Sequence, residues 1–234
     1  MKFKVLKCLI VLALLALPLA AHAVTNLPPP RANPAHIDFW ISGGATTGES
    51  NLISYAGGAS PLVGTNLSVD SVYGYYNDGQ GTQYPVQYGS LSFTSGAHST
   101  GWTWGSGGIS NTIKLTGGII DLGIDPDSTL LEGIFSFTGV SKVGGTNTFE
   151  IVGAEFTDTK DSTLAARYGL SSVTGWKGGL DIIFNSEATL GNTFTSESVL
   201  GGVVKNTPVP IPPTLWLLGS GLFGLVGLRR RFKK

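Results

Sequence analysis

The chain has 234 residues, with fifteen basic and fifteen acidic side chains, 34 glycines and a single cysteine. Three lysines precede position 8 and five Arg or Lys follow position 228, so the seven basic residues between them face fifteen acidic ones, a net charge of −8 for the central body. An acidic, charge-poor body argues against a nucleic-acid partner or an anionic lipid surface, and one cysteine rules out a disulfide framework within the chain.

The N-terminus reads as a signal peptide over residues 1–23. Lys2, Lys4 and Lys7 form a basic head, an apolar run follows from Leu9 to Leu19, and Ala21-His22-Ala23 places small residues at −3 and −1 of a cleavage site. The run is shorter than the ~20 residues that span a bilayer. Cys8 precedes it, so cleavage after Ala23 leaves a mature chain without cysteine. Residues 24–35 form a Pro-rich leader that holds neither helix nor central strand.

Residues 36–206 read as one all-β ectodomain. Gly-Gly pairs recur at irregular spacing, which argues against a repeat array. Between them lie runs with period-two alternation, such as Leu91-Ser92-Phe93-Thr94, Phe135-Ser136-Phe137-Thr138 and Phe149-Glu150-Ile151-Val152. Alternation of this kind marks half-buried strands. Strands are expected at 37–41, 67–76, 86–94, 109–116, 129–138, 147–156, 179–185 and 197–205. Faces buried on one side imply two packed sheets, so a single Gly-rich β-sandwich of jelly-roll type is expected, with a barrel as the alternative. Asp161 to Gly169 reads as a two-turn helix, capped by Ser162 and ended by Gly169.

Catalytic chemistry finds little footing in the body, and no catalytic residue and no cofactor are assigned. There is no Gly-x-Ser-x-Gly elbow. His36 and His98 are the histidines left after cleavage, one near the leader and one in a loop. Zinc motifs are absent from the sequence. Asp121, Asp125 and Asp127, with Ser128 and Glu132, offer oxygen ligands suited to calcium, but Pro126 interrupts them and an Asx turn explains them as well. Glu150 and Glu155 are five apart, so on one strand they would face opposite ways and not form a catalytic pair. Trp102-Thr103-Trp104 places two indoles on one strand face. Tyr73 and Tyr75 share a face, with Tyr84, Tyr88 and Trp176 nearby in sequence. Such rings either fill the core or stack on sugar rings, and exposure separates the two.

Residues 207–213 form a Pro-rich spacer, stiff and extended. Ile211 to Leu228 carry no charge over 18 residues, about 27 Å as a helix, with the transmembrane helix placed at 214–228. Arg229, Arg230, Arg231, Lys233 and Lys234 form a basic stop-transfer tail (229–234) that stays cytoplasmic. Val209-Pro210-Ile211-Pro212, the Trp216-Leu217-Leu218-Gly219-Ser220-Gly221-Leu222 stretch and the basic cluster together resemble the PEP-CTERM sorting signal. Val209, Pro210 and Pro212 match the start of its motif, and Ile211 stands where the commonest form has Glu, which leaves the exosortase subtype open. The Trp176-Lys177-Gly178-Gly179 strand start is similar to bodies often seen in PEP-CTERM proteins.

The resemblance covers about the last 27 residues. It implies processing by signal peptidase and an exosortase-like membrane protease, an intermediate anchored in the inner membrane by its C-terminal helix, and display at or release from the surface of a Gram-negative cell. It also implies an association with exopolysaccharide. The expected function is that of a non-enzymatic surface or matrix protein. The alternatives are a carbohydrate-binding module using Trp102 and Trp104, and a secreted hydrolase of unassigned type.

Overall fold

The computed structural model describes residues 36–75, 81–105, 111–144, 147–170, 175–189 and 192–209. The signal peptide with Ala21 and Ala23, the leader, Pro210 and Pro212, the expected membrane helix and the basic tail from Arg229 to Lys234 lie outside these residues.

The eight runs expected from alternation are the eight principal strands: β1 (His36–Ile41), β4 (Leu62–Tyr75), β5 (Gly81–Thr94), β7 (Thr112–Gly118), β8 (Thr129–Lys142), β9 (Thr148–Lys160), β10 (Trp176–Asn185) and β12 (Ser198–Pro208). Short strands β2 (Gly44–Ala45), β3 (Leu52–Tyr55), β6 (Thr103–Trp104) and β11 (Phe194–Thr195) join them, along with helix α1 (Ser162–Arg167). The fold is all-β and antiparallel throughout.

Connectivity departs from the expected jelly roll. A jelly roll sets strands distant in sequence side by side. Here each principal strand pairs with the next one in the chain. β1 then pairs with β12 on one side, Ile37 opposite Asn206, and with β4 on the other, Ile37 opposite Gly74. The eight strands therefore close into an up-and-down ring, and the alternative of a barrel holds. Register shifts interrupt most of the pairings, for example between Val69 and Ser71 and between Ile183 and Phe184. Such bulges bend and twist long strands, which closure requires.

Side chains alternate across the ring. On β10, Trp176, Leu180, Ile182 and Phe184 are buried, whereas Lys177 and Ile183 are exposed. Lys114, Glu132, Glu155, Lys177 and Lys205 face outward. Apolar-in and polar-out is the inverse of a lipid-facing barrel. An eight-stranded barrel has an interior just wide enough for side chains to fill, and Phe39, Phe93, Phe135, Phe149, Phe156 and Phe184 fill it here. Glycines make room for these rings. A Cβ on Gly178 would lie 2.0 Å from the Phe156 ring, and one on Gly74 would lie 2.1 Å from Tyr168.

Both ends are plugged. At one end α1 lays Leu164 and Tyr168 over the opening, and the Tyr168 hydroxyl donates to the Thr82 carbonyl at 3.0 Å. The helix lies where the sequence placed it, and Gly169 at φ 72 follows its last turn. Its cap is Asp161 instead of Ser162: the Asp161 carboxylate accepts from the Leu164 N–H at 2.9 Å, because Asp161 has the extended backbone of a cap and Ser162 is already helical. At the other end Tyr55, Trp102, Trp104 and Phe194 form an aromatic lid. One expected alternation breaks. Register shifts flank Phe137 on β8, so it turns outward, 43 % exposed, and Thr138 is buried instead.

A buried ion pair lies near the α1 end. Lys160 and Asp158 are in contact with no exposed side-chain surface. Lys160 also donates to Asn206 Oδ1 at 3.0 Å and lies 5.0 Å from the Trp176 ring centroid. Burial lowers Lys160 to about 8, partly opposed by Asp158, and burial pushes Asp158 up.

Two outcomes follow from this core. Gly178→Ala is expected to lower stability by about 1–3 kcal/mol through overpacking, while Gly105→Ala, with open space around it, leaves the urea midpoint unchanged; equal midpoints for the two would overturn the packing account. Asp158→Ala strands a buried cation and is expected to cost about 3–5 kcal/mol. Lys160 binds its proton more weakly folded, at about 8, than at its ordinary 10.5. The unfolded chain thus holds more protons between those values, and stability rises with pH across that window. The melting temperature measured against an Asp158→Asn, Lys160→Met double variant should climb from about pH 8 to about pH 9.5, and a flat difference would contradict the lowering of Lys160 by burial.

Candidate functional site

Trp102 and Trp104, which offered sugar stacking as the alternative to core packing, take the core role. Both indoles belong to the lid, 4 % and 0 % exposed. Trp102 packs on Phe149 and Phe194 at 5.1 and 4.9 Å. Trp104 meets Tyr55 edge-on at 5.2 Å and donates its indole N–H to the Ser60 carbonyl. Their shared face is the inner one, because an open barrel end would otherwise expose the Phe-rich interior.

The calcium candidates are not brought together. Asp121 sits in a 3-10 turn at Ile120–Leu122, and Asp125 and Asp127 flank Pro126 in a turn closed by the Ser128 N–H to the Asp125 carbonyl at 3.0 Å. All three carboxylates are exposed, and among the described residues no group of three metal-ligating side chains forms. His98 contacts the Gly101 carbonyl and packs on Tyr55 and Trp104. Val209, the first sorting-motif residue, donates its N–H to the Gly175 carbonyl at 3.0 Å. Strand β12 runs on to Pro208, so Thr207 and Pro208 extend the ladder instead of beginning a spacer.

Glu150 and Glu155 also differ from expectation. A register shift between Leu180 and Ile182 places both at outward positions, Glu150 opposite Ile183 and Glu155 opposite Gly179. They are roughly 13 Å apart along the strand, beyond the spacing of a glycosidase pair.

The outer face of β4, β1, β12 and β10 is where chemistry-bearing side chains converge. Ile37, Phe39 and Ile41 point inward, so His36, Asp38 and Trp40 point out. Cross-strand register fixes their neighbours. Asp38 lies between Tyr73 and Lys205, and Trp40 between Ser71 and Val203. His36 stacks on Tyr75 at 3.9 Å and 24°, and Tyr75 meets Tyr73 at 4.4 Å. Tyr73 reaches over Gly81, where a Cβ would lie 2.2 Å from its ring, so the ring lies down against the sheet. Trp40 is 50 % exposed, in contrast with Trp102, Trp104 and Trp176. Sequence reasoning paired Tyr73 with Tyr75 correctly but passed over Trp40, whose outward direction depends on which face of β1 meets the core.

Polar groups flank this aromatic row. Gln83 donates to Ser71 at 3.0 Å. Lys205 and Asp181 form an exposed pair at 3.9 Å. Burial pushes the Asp38 carboxyl up, opposed by nearby His36 and by the backbone N–H of Asn206. Beyond Lys205, a groove of about 370 Å³ runs over Gly178 and Gly179, walled by Glu155, Lys177, Lys205 and Thr207. On neighbouring β5, Tyr88 is 82 % exposed with φ 53, beside the register shift between Gln87 and Ser90. A bulky residue in this conformation is strained.

A scan against protein-family models finds no match, and neither do searches of the curated proteins and of the solved structures.

Tyr88→Gly should relieve the left-handed backbone and raise stability by about 0.5–1 kcal/mol after the entropy cost of glycine. A lower urea midpoint would show that the Tyr88 ring contributes packing that its exposure does not suggest.

Proposed function

We propose that the protein is an exported bacterial surface or extracellular-matrix protein, sorted by an exosortase-type system, whose barrel is a non-catalytic body associated with exopolysaccharide. The observation that carries this reading is the order of features in the tail: Val209-Pro210-Ile211-Pro212, an uncharged span, then Arg229-Arg230-Arg231-Phe232-Lys233-Lys234. The signal-peptide pattern ending at Ala21-His22-Ala23 supports export. The position of Val209 at the rim of the barrel, bonded to Gly175, is consistent with a folded body that gives way directly to a sorting segment. Signal peptidase and an exosortase-like protease are the processing partners in this reading, the membrane is a transient partner through residues 214–228, and no cofactor takes part.

Intact mass of the protein recovered from its host's surface and medium tests the proposal. Loss of residues 1–23 and of a C-terminal piece beginning near Pro208–Pro213 is the expected result. A mass that retains residues 214–234 would make the tail a permanent anchor and remove the link to exosortase sorting. Neutral replacements at Arg229, Arg230 and Arg231 are expected to impair membrane retention and processing together, and unchanged processing would refute the role given to the basic cluster.

A further inference from the structure

The geometry points to a saccharide-binding platform on the outer face of β1 and β4, formed by Tyr75, His36, Tyr73 and Trp40 and taking a neutral, extended hexopyranose chain. This inference rests on the exopolysaccharide association proposed above and gives it a site.

Four rings in a row is the first argument. Outward residues on a strand repeat about every 6.6 Å. The row from His36 through Asp38 to Trp40, with Tyr75 and Tyr73 alongside on β4, therefore offers apolar area over a length comparable to two or three sugar rings. One face of a hexopyranose presents C–H groups, which meet the negative face of an aromatic ring favourably. That contact needs rings whose faces are available. Tyr73 lies down over Gly81, and Trp40 keeps half its surface exposed.

Exposure itself is the second argument. Every other tryptophan among the described residues is sunk in the core, at 4 % exposed or less. An indole left half in water at mid-strand forgoes burial that the fold gives its counterparts. Sugar recognition also needs hydrogen-bonding groups beside the rings: Gln83 lies opposite Tyr73 on β5, and Lys205 lies opposite Asp38 on β12, where it pairs with Asp181.

Charge selects the class of polymer. The body carries a net charge of −8 between its basic ends, which opposes a polyanion at long range. A neutral chain meets no such barrier.

The test uses the protein as recovered from its host, with or without its tail, in native gels containing hydroxyethylcellulose, dextran, mannan or alginate. Retardation by at least one neutral polymer and not by alginate is expected. Trp40→Ala and Tyr73→Ala should each weaken it about ten-fold, a change of about 1.4 kcal/mol, whereas Phe137→Ala, an exposed aromatic on the far side of the ring, leaves it unchanged. No retardation by any neutral polymer, retardation by alginate alone, or equal loss in the Phe137 variant would overturn the platform. A readout free of folding effects is N-bromosuccinimide oxidation of the unmutated protein with peptide mapping. Trp40 should be modified ahead of Trp102, Trp104 and Trp176, and the retarding polymer should protect it; unprotected Trp40 would overturn the assignment. Because the intact mass decides sorting and the gels decide binding, failure of one reading leaves the other separately judged.

Discussion

Closure of the ring at β1 is the constraint on which the rest of this structure depends. Six residues long, β1 pairs with β12 through five register positions and with β4 through six. Without it β4 and β12 would be the edges of an open sheet, and long unpaired edges invite association with other chains. Closure also fixes the inner and outer faces of every strand. Once Ile37, Phe39 and Ile41 are committed to the core, Asp38 and Trp40 have no choice but to face out, and the opposing outward residues of β4 and β12 become their neighbours.

The core that results is crowded with rings, and the glycine content follows from this. Phenylalanines crowd the interior, Phe93 on β5 against Phe135 on β8 two strands away at 5.6 Å, and Phe135 against its partner Phe156 on the adjacent β9 at 5.5 Å. Rings of this size fit a narrow barrel only where the opposing backbone carries no side chain, as at Gly178 and Gly74. A Gly-rich sequence is often read as loose; here it accompanies dense aromatic packing. The same crowding explains why the buried ion pair of Asp158 with Lys160 is held on several sides by Asn206 and Trp176, since an unpaired charge in this interior would be costly.

How much of this was legible beforehand varies with the range of the interaction. Strand alternation is local, and the eight principal strands stand where Leu91-Ser92-Phe93-Thr94 and its counterparts put them. Helix α1 likewise follows from a local cap and the glycine after it, with the cap displaced by one residue. The closing pair of β1 with β4 is not local, and nothing in the alternation of either strand distinguishes a ring from two stacked sheets. Bulges erased other inferences: they turned Phe137 out and brought Glu150 and Glu155 to the same face. The aromatic site was half legible. Tyr73 and Tyr75 share a face by simple parity, but Trp40 stands in water because the other face of β1 meets the core, and Trp102 and Trp104 are buried because they cover an opening, both properties of the finished barrel alone.

The neighbouring ends of β1 and β12 also have a mechanical meaning. The described chain begins at His36 and leaves at Val209 on the same rim, and the outer face of β1 lies one strand from β12. Opposed loads at His36 and Val209 would therefore fall on neighbouring strand ends at one rim, where the antiparallel β1–β12 ladder opens one hydrogen bond after another. The same ladder loaded from opposite rims would share the force among all its bonds at once, so the direction of a load decides how firmly the ring stays closed.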